Sequence, residues 1–284
     1  MIPSRLGCLV LAAAASAAPA VAQTARPFEP PPPDLKDERL LPPSDRLDGL
    51  ERFEGYESDG ARTLSALPRN VVRGMQSVFT RDSIRPFLIG TLAAGAGSFA
   101  DGRLQDGFAG QSPGFGNVGG KAGGARIMVP FTAGLFLAGR VSPNGRFRAA
   151  TYDVAEAAIV TSLYTTTLKS AVRRNRPDTS NQLSFPSGHT SGAFAMAAVF
   201  DAHYGSKVSV PAYVAAAAIG ISRMERNKHH LSDVLAGATI GYLVGHSVAK
   251  DNGVPARGRE TRFTLAPATD AQGSGVGAGF SLSW

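Results

Sequence analysis

Among its 284 residues the chain has one cysteine, Cys8, and one tryptophan. A lone cysteine excludes a disulfide framework and any metal site built from several thiolates. Cys8 lies inside an N-terminal segment that reads as an export signal. Arg5 supplies the positive region, residues 6–18 the apolar region, and Ala20-Val21-Ala22 a small-x-small cleavage site. A lipidated cysteine would follow the apolar stretch, whereas Cys8 precedes most of it. The expectation is therefore cleavage after Ala22, leaving an exported, periplasmic or secreted chain with no thiol nucleophile.

Long uncharged apolar runs are also missing. Beyond the signal they cover residues 87–100, 127–139, 157–168, 208–222 and 234–249, and the longest of these has 16 residues. A bilayer-spanning helix needs about 20. The uncharged stretch 179–200 opens on Thr-Ser-Asn-Gln and contains Pro186 and His189, so it is not a span either. These lengths suit the core helices of a soluble bundle, with contact at a membrane surface left open.

What is present is enough apolar residue, 43%, to bury a core. The net charge of +7 is unevenly placed: residues 24–60 carry five basic and ten acidic groups, residues 61–284 twenty-three and twelve. A basic body behind an acidic tail suits anionic partners, and composition does not choose among phosphates, membrane lipids and nucleic acid. Four regions follow: the signal at 1–22, a proline-rich acidic extension at 23–66, a helical domain at 67–252, and a tail at 253–284. Helices are expected near 127–140, 149–173, 188–204, 209–224 and 229–249. In the tail, Val276, Ala278, Phe280, Leu282 and Trp284 alternate, with Phe263 and Leu265 as a partner run, which predicts a small β-hairpin. Residues 107–124 hold eight glycines and a formal G-x-G-x-x-G. No strand precedes it and no helix opening follows, so the expectation is a mobile loop rather than a nucleotide site.

Three segments concentrate chemistry. In Lys169-Ser-Ala-Val-Arg173-Arg174-Asn-Arg176-Pro177, positions 169, 173 and 176 would share one helical stripe at the end of an apolar helix. In Ser184-Phe-Pro186-Ser187-Gly188-His189-Thr190, proline, serine and glycine precede an apolar run, which marks a helix N-terminus and hence an anion-binding place. In Ser222-Arg223-Met-Glu-Arg-Asn-Lys-His229-His230-Leu-Ser-Asp233, His229 and Asp233 lie four apart, so a carboxylate can fix the imidazole tautomer. His230 points elsewhere on a helix and reads as a surface histidine. Adjacent histidines on one helix do not converge, which argues against a metal.

Together, Lys-x6-Arg-Pro, Pro-Ser-Gly-His and Ser-Arg-x5-His-x3-Asp resemble the tripartite signature of the type-2 phosphatidic acid phosphatase superfamily, which also includes bacterial non-specific acid phosphatases and vanadium haloperoxidases. All eleven fixed positions occur in order. The resemblance implies an all-α helical bundle and a phosphatase that needs no metal or other cofactor. It implies His229 as nucleophile, Asp233 holding its imidazole, and His189 as general acid and then base. Lys169, Arg176, Arg223, Ser187 and the Gly188 backbone would bind the phosphoryl oxygens. Arg173, Arg174, Arg226 and Lys228 fall outside the signature and are expected to be solvated. The substrate would be a phosphorylated lipid or a soluble monoester, and nucleic acid is not an expected partner. The same residues could hold vanadate in a haloperoxidase, and the basic body could serve a non-catalytic binder of anionic lipid or nucleic acid. The expected mature length of 262 residues is short for a haloperoxidase and nothing marks a halide site, while a mere electrostatic binder does not require both His189 and His229.

Overall fold

The computed structural model describes residues 59–254 together with 262–269 and 276–283. The expected signal and most of the proline-rich extension lie outside the described residues. Eight helices are seen: α1 (Leu67–Ser77), α2 (Arg81–Phe108), α3 (Pro113–Ala122), α4 (Ala125–Val141), α5 (Gly145–Val172), α6 (Gly188–Tyr204), α7 (Ser206–Glu225) and α8 (Leu231–Asp251). Two strands, β1 (Arg262–Thr269) and β2 (Val276–Ser283), pair antiparallel with Arg262 opposite Ser283. The helical part is an all-α bundle, as expected.

The helix ends follow local chemistry. Asn144 caps α5 by accepting from the Phe147 N–H, and Arg173 ends it in the left-handed region at φ 49°. Left-handed Gly205, at φ 72°, separates α6 from α7. His230 and Asp233 form a capping box at the start of α8.

At the centre α6 and α8 run parallel with their backbones nearly touching. A methyl added at Gly241 would sit 2.2 Å from the Ser191 carbonyl oxygen, and one at Gly245 would sit 2.4 Å from that of Ala195. Only glycine permits such an approach. Val154, Ala157 and Val160 of α5 close the core against Ala195 and Val199 of α6 and Val244 and Val248 of α8. Arg146 at the start of α5 bonds the His203 carbonyl near the end of α6, and Lys169 at the end of α5 bonds the Pro186 carbonyl just before α6, so α5 runs antiparallel to α6, and α7 returns antiparallel after Gly205. One end of the bundle therefore collects the N-termini of α6 and α8 and the C-termini of α5 and α7.

Two expectations need correction. The glycine-rich segment contains helix α3 rather than being wholly a loop: Pro113 starts it, and its glycines lie against α7, where a methyl at Gly119 would meet Ser222 at 2.5 Å. Close backbone contact offsets the poor helix propensity of glycine. The second concerns residues 87–100, expected in the core. In α2 two glycines face inward, Gly90 against Thr239 and Gly97 against Leu235. Large apolar residues face outward: Phe87, Leu88, Ile89 and Leu92 are exposed, and Phe99 is 88% exposed. Helix α4 similarly exposes Ile127, Val129, Phe131 and Leu137. Among the described residues no single helix is long and apolar enough to cross a membrane, although α3 and α4 together, bent by 44°, reach that length.

Candidate active site

Lys169 lies in the last turn of α5, where its ammonium donates to the carbonyl oxygens of Leu183 (2.7 Å) and Pro186 (2.6 Å). Burial, followed by the nearby positive charge of Arg176, lowers its pKa to about 8. Arg176 follows in the loop, its backbone N–H bound to the Asn181 carbonyl. Arg223, in the last turn of α7, is 7% exposed, and burial with Arg226 and Arg176 beside it brings its pKa down to about 10. The Nε atoms of both Arg176 and Arg223 are buried without a hydrogen-bond partner. Among the described residues none of these three cations forms an ion pair. Three cations gathered without a salt-bridged carboxylate are complementary to an anion of multiple charge.

Two imidazoles share their field. His189, in the first turn of α6, is driven down to about 3 by burial, then by Arg223 and His229, while its ring hydrogen-bonds the Gly120 carbonyl of α3. His229 is 2% exposed and lies near 4, lowered mainly by burial with Lys169 and Arg176 adding to it. Asp233, fully buried, is held well below the usual carboxylate range: burial works against ionisation, but the adjacent His229 ring, hydrogen bonds from Ser184 and the His230 N–H, and the charge of Arg174 outweigh it. The three signature segments are thus brought to one end of the bundle. Ser187 precedes α6, its N–H on the Asp233 carbonyl (3.0 Å) and its hydroxyl accepting from Thr190 (2.9 Å). Gly188 opens the helix beside the Lys169 side chain.

Several details differ from expectation. Helix α5 ends at Val172 and Arg173 turns left-handed, so Lys169, Arg173 and Arg176 share no helical stripe, and Arg173 is exposed. His229 stands before α8 rather than a helical turn from Asp233. Its Nδ1 is 3.8 Å from Asp233 Oδ2, a charge-pair distance and too long for a hydrogen bond. His230 is not a free surface histidine, because its N–H (2.9 Å) and Nδ1 (3.2 Å) both meet Asp233 Oδ2. Arg174 is not merely solvated: it bonds Asp233 Oδ1 (2.7 Å), Ser232 Oγ (2.6 Å) and Asp101 Oδ2 (2.7 Å). Lys228 pairs with Asp178. Sequence reasoning missed Asp101, Ser184 and Gly120. Ser184 was visible beside its motif, whereas Asp101 and Gly120 reach the site only through the packing of α2 and α3. Among the described residues no group of three His, Cys, Asp or Glu side chains could hold a metal ion.

Residues 150–253 match the family model of the PAP2 superfamily. Within the chain, 75 residues are 51% identical to a lipid A 1-phosphatase of Porphyromonas gingivalis, 25% of this chain and 17% of that protein's length. The chain thus spans under a fifth of the curated relative it matches. Two solved structures are also similar. Aquifex aeolicus LpxE covers 48% of this chain and 84% of its own at 23% identity and a TM-score of 0.41. A transmembrane PAP2-type phosphatidylglycerolphosphate phosphatase from Bacillus subtilis covers 69% and 98% at 20% identity and a TM-score of 0.40.

Proposed function

We propose that this chain is a phosphoric ester hydrolase that transfers the phosphoryl group to His229 and then to water, without a metal. The observation that carries this reading is the meeting of Lys169, Arg176 and Arg223, none in a salt bridge among the described residues, beside two imidazoles held neutral. Phosphoryl transfer depends chiefly on charge stabilisation and in-line placement, and three fixed cations with the α6 N-terminus supply both.

The steps follow from this arrangement. Neutral His229 attacks phosphorus through Nε2 while Nδ1 faces Asp233, which takes up the positive charge that develops on the ring. As the P–N bond forms, the bond to the leaving oxygen breaks, and protonated His189 supplies the proton that oxygen needs. Neutral His189 then removes a proton from water. The resulting oxygen attacks phosphorus, the P–N bond breaks, and His229 returns with phosphate released. Before substrate binds, burial, joined by the field of Arg223, His229 and Arg176, keeps His189 neutral. A phosphoryl dianion offsets that field and raises the affinity of His189 for a proton, so substrate binding arms the acid.

The substrate class we infer is a phosphorylated lipid met at a membrane surface. The outward apolar face of α2 and that of α4 support this, as an exposed patch of that kind marks a membrane or partner contact. The local identity to a protein named for a lipid phosphate supports it as well. Export after cleavage at Ala22, with 67–252 as the catalytic domain, belongs to the same proposal.

The test is hydrolysis of p-nitrophenyl phosphate in the presence of EDTA. Wild type is expected to turn over, and His229→Ala to lose activity by about 10⁴-fold or more. His189→Ala should lose far less with this good leaving group than with an alkyl phosphate. Activity abolished by EDTA, or retained by His229→Ala, would contradict the mechanism.

A further inference from the structure

Asp233 Oδ2 is surrounded by more donors than it can serve equally. Ser184 Oγ lies at 2.5 Å, the His230 N–H at 2.9 Å, His230 Nδ1 at 3.2 Å and His229 Nδ1 at 3.8 Å. A carboxylate oxygen offers about two lone-pair directions, so its orientation decides which imidazole it faces. That orientation is set from the other oxygen. Oδ1 accepts from Arg174 at 2.7 Å, and Arg174 is itself fixed by Asp101, whose Oδ2 accepts from its other terminal nitrogen at 2.7 Å. Asp101 also binds the first turn of α8 directly, through the Ser232 N–H (3.0 Å) and Ser232 Oγ (2.6 Å). Asp101 stands on α2, outside the matched segment 150–253 and outside all three signature segments.

We propose that Asp101 and Arg174 are positioning residues for the nucleophile: they clamp Asp233 by Oδ1, which holds Oδ2 within charge-pair reach of His229 Nδ1 (3.8 Å). This rests on the reading of His229 as nucleophile. The planar guanidinium of Arg174 bridges two carboxylates, one through each terminal nitrogen, and so fixes their relative direction as a single ammonium cannot. The clamp joins α2 to α8 where the reaction occurs, so the functional unit includes a helix that carries no signature residue. His229 is faced by Lys169 from α5, Arg176 from the following loop, Asp233 from α8 and His189 from α6. Removal of the Arg174 charge leaves Asp233 a stronger partner for a protonated His229, so His229 must lose its proton at higher pH before it can attack.

The experiment measures kcat, KM and the acid limb of the pH profile on p-nitrophenyl phosphate for wild type, His229→Ala, Arg174→Gln, Arg174→Ala, Arg174→Lys and Asp101→Asn, with melting temperatures alongside. For Arg174→Gln and Asp101→Asn, kcat is expected to fall ~10–100-fold, the range found for groups that orient a reactive side chain through a hydrogen bond, with KM within about threefold. In Arg174→Gln the acid limb should move to higher pH. Arg174→Lys should restore little, and added guanidinium should restore part of the kcat of Arg174→Ala. Unchanged kcat in folded Arg174→Gln, or a loss of kcat with neither a shifted acid limb nor guanidinium rescue, would overturn the clamp. Inactive wild type, or active His229→Ala, would instead overturn the functional reading on which it rests.

Discussion

Lys169 shows how one side chain is prepared for its task. Two carbonyl oxygens occupy two of its three protons, which leaves one N–H for a phosphoryl oxygen, and burial among cations brings its pKa to about 8. The cationic form is the binding form, so it is present below pH 8 and lost as pH rises through that value. We therefore expect kcat/KM, which reports the free enzyme, to fall with a midpoint near pH 8 on the alkaline side. In Lys169→Arg the guanidinium stays charged, and this limb should vanish even though the larger head fits the two carbonyls less well. An alkaline limb unchanged in Lys169→Arg would assign that titration to another group. At this scale the sequence was most informative: the resemblance of three spaced segments to one signature names Lys169, Arg176, His189, Arg223, His229 and Asp233 as candidates without coordinates. Arg174 was misjudged because its partners Asp101 and Asp233 lie 73 and 59 positions away, and a charge run looks the same whether solvated or clamped.

At the scale of elements, the parallel contact of α6 and α8 brings the second and third segments together. Its glycines, Gly237, Gly241 and Gly245, recur every fourth residue and face backbone atoms of Ser187, Ser191 and Ala195. Gly241→Ala should lower stability by ~2 kcal/mol or more, because the methyl would meet backbone that cannot rotate away. Gly192→Ala, where nothing lies within 4 Å, should leave stability unchanged or raise it by about 0.5–1 kcal/mol. Melting curves of the two variants check this, and equal stability would contradict the close helix contact. The helix positions from 127 onward were legible because apolar runs end at proline, glycine or capping residues. The glycine contacts were not, since a residue without a side chain adds nothing to a hydrophobic period. For the same reason α3 was taken for a loop.

At the scale of the molecule, the apolar composition of α2 and α4 was legible but its direction was not. A run of mixed small and large apolar residues does not say which of them face the bundle, and here Gly90 and Gly97 do while Phe87, Leu88, Ile89, Leu92 and Phe99 do not. This reversal underlies the proposed contact with lipid. Wild type should float with anionic phospholipid vesicles, and Phe87→Glu with Leu92→Glu should stay in the dense fraction while p-nitrophenyl phosphate turnover remains within about twofold. Wild type that does not associate with vesicles would contradict the lipid-facing role. The central claim concerns the end of the bundle, and it is tested most directly by acid- and base-quench of wild type during turnover of ³²P-labelled substrate. The account predicts a protein-bound phosphoryl group on His229, stable in base and labile in acid, and none in His229→Ala. Turnover with no label on His229, or with an acid-stable label on another residue, would contradict it.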